Sequence, residues 1–125
     1  MRRATTTAQM LVRTFGVIQL VLGGLFWTGN ALDLVPLHML VGFLLVLGLW
    51  TLAALAARAG VRPALVALAA VWGLIVPILG LNQDQLLVGS AHWVIEVLHL
   101  LVGLGAIGQA EGLAARIRER LPAAA

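Results

Sequence analysis

At 125 residues, with 62% hydrophobic and 10% charged side chains and a mean hydropathy of +1.04, the chain is far more apolar than a soluble domain, where roughly 25% of residues are charged. Four membrane spans of roughly 20 residues use most of that length, which leaves no room for a large extramembrane catalytic domain. Without Cys there are no disulfides, thiolate-bound metals or thioether-attached haem, and the net charge of +3 comes from arginines clustered at span ends, which is no nucleic-acid signal.

Apolar stretches predict spans over residues 8–28, 34–57, 62–81 and 87–109. Arg2, Arg3 and Arg13 precede or open the first. Arg2 and Arg3 before an apolar run, with Gly29-Asn30-Ala31 after it, fit a signal peptide only loosely, and the run belongs to a repeated unit described below. Pro36 suits the first turn of the second span, with Asp33 as its expected N-cap. Arg58 and Arg62 bracket the link to the third span, where Pro77 predicts a kink. A polar loop over residues 82–85 leads to the fourth span, which Arg116, Arg118 and Arg120 follow.

All eight basic residues therefore lie on alternate connections, and the links holding Asp33 and Asp84 have none. The positive-inside rule then puts both termini on the inner side of a bacterial-type cytoplasmic membrane. The same bias opposes a dual-topology multidrug transporter, which needs balanced loops.

The chain is also written twice. Leu37-His38-Met39-Leu40-Val41-Gly42 returns as Leu98-His99-Leu100-Leu101-Val102-Gly103, and the block from Phe15 to Gly23 returns as Trp72 to Gly80. The two blocks are out of step by about four residues, roughly one helical turn. These matches divide the chain into parallel two-helix repeats over residues 8–57 and 62–112, followed by a tail over 113–125. The expected fold is an all-α bundle of four transmembrane helices, with spans two and four facing each other.

His92, Glu96, His99, Gly103, Ala106 and Ala110 share one face of span four, and His38, Gly42 and Leu45 lie on the matching face of span two. A stripe of that polarity belongs inside the bundle. Gly42 and Gly103, each one turn beyond a His, leave space for close approach to the backbone. Phe15, Gly16, Gln19, Gly23 and Phe26 of span one, with Trp72, Gly73, Val76 and Gly80 of span three, wall the same space.

This pattern resembles the b-type membrane cytochromes, in which His from two helices of a bundle clamp one haem and Gly relieves crowding at its faces. The resemblance implies haem b held by His38 and His99, electron transfer rather than an enzyme with its own substrate, and a quinone or redox protein as partner. Succinate dehydrogenase anchors share an H-x3-G element, but Leu104-Gly105 does not supply their Arg-His pair. His92 is the alternative to His99 as the ligand opposite His38. The duplication favours His99, as does its distance from the inner arginines.

Glu96 sits between the two His of span four, either as a hydrogen-bonded partner of His92 or as a group coupling proton movement to a redox or transport event. Propionate donors on the outer side would come from Asn30, Asn82, Gln83, Ser90 and His92, since no Arg is there. Readings from other classes remain open: a proton-coupled carrier or pore built on His38, Glu96, His99 and Gln19, a structural subunit of a larger complex, or packing alone. Finally, Leu101, Gly105, Gly108 and Gly112 form a stripe opposite the His face, with the small-residue spacing of a homo-oligomer contact.

Overall fold

A computed structural model describes residues 1–121. It contains α1 (Arg2–Trp27), α2 (Val35–Arg58), α3 (Pro63–Asn82) and α4 (Trp93–Arg120), with short 3-10 turns at Leu32–Leu34 and Gln83–Gln85. All four helices are long and apolar enough to cross a membrane.

The sequence shows where the helices stop and start. After α1, Gly29 takes φ +75, and its N–H and that of Asn30 bond back to the carbonyls of Phe26 and Leu25. After α2, Gly60 takes φ +74, and its N–H and that of Val61 bond back to Ala57 and Ala56. Both are Schellman closures, which need a left-handed residue at the position Gly occupies. Pro36 and Pro63 each lie in the first turn of a helix, where a missing N–H costs nothing.

Several boundaries differ from expectation. α1 begins at Arg2, six or so residues before the apolar run, because its first turns pack against the end of α4. Asp33 lies in the 3-10 turn and caps nothing; Leu34 precedes α2 without a side-chain cap. α3 continues through Pro77 as one helix. α4 starts only at Trp93, and it remains helical to Arg120, so most of the expected tail over 113–125 extends the fourth helix; residues 122–125 lie outside the described residues.

α2 and α4 pack directly on each other, α1 and α3 each pack on both of them, and α1 and α3 do not meet. Both central helices present buried small residues, Ala53 and Ala56 on α2 and Ala106, Ala110 and Ala114 on α4, which bring the backbones close. Leu49, Leu52, Val12 and Ile117 fill the interior beside them. Two indoles fasten α3: Trp50 donates to the Ala70 carbonyl at 3.1 Å with its ring against Gly73, and Trp72 donates to the Val102 carbonyl at 2.8 Å with its ring against Gly105.

The start of α1, the end of α4 and the α2–α3 link share one end of the bundle. There Arg2 donates to the Leu121 carbonyl at 3.3 Å and the Arg120 guanidinium approaches Gly60. A polar clasp joins α1 to α4 nearby. Arg13 donates through Nε and Nη2 to Glu111 at 2.6 and 2.8 Å, Gln9 Nε2 donates to Glu111 at 2.6 Å, and Arg118 donates to Gln9 Oε1 at 2.7 Å.

Candidate functional site: a histidine pair between the central helices

At the opposite end, the end of the Asp33 and Asp84 links, His38 and His99 meet across the α2–α4 contact. Their ring centroids are 6.3 Å apart, with 55° between the ring planes. His38 lies in the first turn of α2, which is fixed by Pro36, and His99 lies nearly two turns into α4. Both rings are partly buried, and the Nδ1 atom of each is buried without a hydrogen-bond partner. Such an arrangement leaves two nitrogen donors uncommitted in an apolar setting, a costly state for groups without a use.

A glycine on each outer helix faces a ring, and the one on α3 makes room for it. A Cβ on Gly80 of α3 would stand 2.9 Å from His99 Cε1, so any side chain there would strike the imidazole. On the other flank, a Cβ on Gly23 of α1 would stand 3.9 Å from His38 Cε1. Gly23 and Gly80 are matched positions of the repeated blocks, as are His38 and His99. Each half of the sequence therefore sets a Gly of its first helix against the His of its second. Phe26 adds an edge-on contact to His38 at 5.3 Å between centroids.

The two glycines one turn beyond the histidines differ. Gly103 has open space where a side chain would be, whereas the space at Gly42 is taken by the Gln19 amide, whose Nε2 would lie 2.7 Å from a Cβ. Gln19 Oε1 is also buried and unpartnered, so a third unsatisfied polar atom sits next to the pair on the α1 side.

His92 and Glu96 stand apart from this centre. His92 is the residue before α4, and its Nδ1 contacts the Leu86 carbonyl at 3.1 Å, which ties the ring to the loop. Glu96 is partly buried in the first turn of α4, with no side-chain hydrogen bond to His92 among the described residues. Asn30 and Asn82 spend their amide donors on Thr28 and Ile78, leaving Gln83, Ser90 and His92 as donors at that rim.

Of the expected stripe on α4, Gly105 is covered by the Trp72 ring from within the chain, and Gly108 and Gly112 floor a groove between α3 and α4. The clasp around Glu111 and the two indole anchors were not anticipated from the sequence. The helix-period match of Gln9, Arg13 and Arg118 to Glu111 could not be seen before the α1–α4 neighbourhood was known.

No three His, Asp or Glu side chains converge as metal ligands among the described residues. Comparison of the chain with protein-family models, curated proteins and solved structures finds no match.

Proposed function

We propose that the protein is a membrane b-type haem protein in which His38 and His99 would hold the haem, oriented with both termini and all its arginines on the inner side. The observation that carries this reading is the 6.3 Å separation of the imidazole centroids. At that separation one imidazole from each central helix could reach a single iron between them, and His pairs of this kind are the ligands with which membrane cytochromes hold haem b. The open space at Gly103 and the unpartnered atoms of His38, His99 and Gln19 support the fit.

Haem held by His38 and His99 would supply a one-electron redox couple. The chain's own residues set the geometry. Gly80 leaves the room that the His99 ring occupies, and Phe26 meets the His38 ring edge-on. The Gln19 amide, lying over Gly42, is placed to donate or accept at the edge of the site. A quinone or a redox protein is the implied electron partner.

The visible spectrum of protein purified in mild detergent tests this. We expect a sharp low-spin haem band, abolished by His38→Ala and by His99→Ala and retained by His92→Ala. Loss of pigment in His92→Ala alone would make His92 the ligand. A colourless protein that carries protons in liposomes would replace the haem reading with a carrier built on His38, Glu96, His99 and Gln19.

A further inference from the structure

We infer that the groove between α3 and α4, at the arginine end of the bundle, is a binding site for one anionic phospholipid. The groove has a volume of ≈ 430 Å³ and lies far from the histidine pair, between the first turns of α3 and the last turns of α4. Its walls are Leu65, Leu68 and Trp72 on one side and Leu113 on the other, and its floor is the Gly108–Gly112 stretch. At Gly108 nothing stands where a side chain would be, so the trough is open to the lipid phase. An acyl chain fits such a surface, because an apolar trough in hydrocarbon is filled by whatever apolar chain packs best.

The charge at its mouth selects the headgroup. Arg116 lines the groove and folds back along α4, donating through Nη1 to the Gly112 carbonyl at 2.9 Å. A Cβ on Gly112 would stand 2.9 Å from that same nitrogen, so Gly at this position is what lets the guanidinium lie over the groove. Arg116 makes no ion pair among the described residues, in contrast to Arg13 with its carboxylate partner. A guanidinium so placed matches a phosphate in charge and geometry. Beneath it, Gln109 also lines the groove, and its Oε1 is buried without a donor.

A second copy of the chain fits less well. Trp72 stands over Gly105, so a partner helix cannot come close along the whole small-residue stripe. A two-fold contact centred on the groove would also bring two Arg116 side chains together with no carboxylate between them.

Native mass spectrometry of the full chain tests the assignment, with phosphatidylglycerol and phosphatidylcholine of identical acyl chains offered in equal amounts. We expect one phosphatidylglycerol retained per protomer, with an apparent affinity about fivefold above that for phosphatidylcholine. Arg116→Gln should remove the preference, Gly108→Leu should remove the bound lipid, and Arg120→Gln, outside the groove, should change neither. Arg116 is exposed, so its variant reports even if Gly108→Leu does not fold. Equal retention of the two lipids, or equal loss in Arg120→Gln, would overturn the proposal. So would conversion of a dimer to a monomer by Gly108→Leu, which would name a second copy as the occupant.

Discussion

Trp72 of α3 donates its indole N–H to the Val102 carbonyl of α4 and lays its ring over Gly105, so a hydrogen bond and a close van der Waals contact are made by one side chain. Within a bilayer the packing and the hydrogen bond hold helices together, since lipid tails are as apolar as Leu. Trp72→Phe keeps much of the ring and loses the donor, and we expect a loss of ~0.6–1.7 kcal/mol in detergent unfolding. Gly105→Leu should be worse, because the ring must leave.

The glycines at the histidine pair give a graded series. Gly80→Leu drives a side chain into His99 and should cost ~1–3 kcal/mol, as overpacking does, while displacing the ring. Gly24→Leu, one residue from the matched glycine of α1 and with nothing nearby, should change stability by less than ~0.5 kcal/mol. Thermal unfolding of the two variants side by side checks this. Similar losses would mean that crowding at Gly80 is relieved by helix movement.

The fold was legible because its signals are local or periodic. Apolar runs and Pro36 near a helix start are written in neighbouring residues, and a duplicated block brings His38 and His99 to matched positions before any coordinates are known; Pro63, Gly29 and Gly60 carry equally local signals that the sequence reading did not use. The differing fates of Gly42 and Gly103 were not legible. Both follow a His at the same spacing, yet Gln19 covers Gly42 and no equivalent amide covers Gly103, because the second copy of the block carries Val76 where the first carries Gln19. The clasp around Glu111 was hidden for a similar reason: its partners are about 100 residues apart, and a polar run near a terminus reads as a solvated tail.

That clasp makes a measurable coupling. Arg13 pairs with Glu111 through two parallel hydrogen bonds, at half-exposed positions where a simple surface ion pair is worth little. The bidentate geometry and the added Gln9 contact should give a coupling resolvable from zero in a double-mutant cycle of Arg13→Ala and Glu111→Ala. A coupling indistinguishable from zero would show that apolar packing alone joins α1 to α4.

Topology is checked without disturbing the core, since the chain has no Cys of its own. Ser90→Cys should react with a membrane-impermeant maleimide on intact cells, and Glu119→Cys only after permeabilisation, as the arginine partition requires. The reverse pattern would invert the protein in the membrane.

The separation of α1 from α3 limits how disturbances travel. Neither outer helix can push on the other, so a displacement that begins at Gly80 reaches Gly23 through the central pair and its two imidazoles. Substitutions confined to the lipid-facing sides of α1 and α3 should therefore combine additively, and a departure from additivity between Gly23 and Gly80 variants would measure how rigidly the two histidines are coupled.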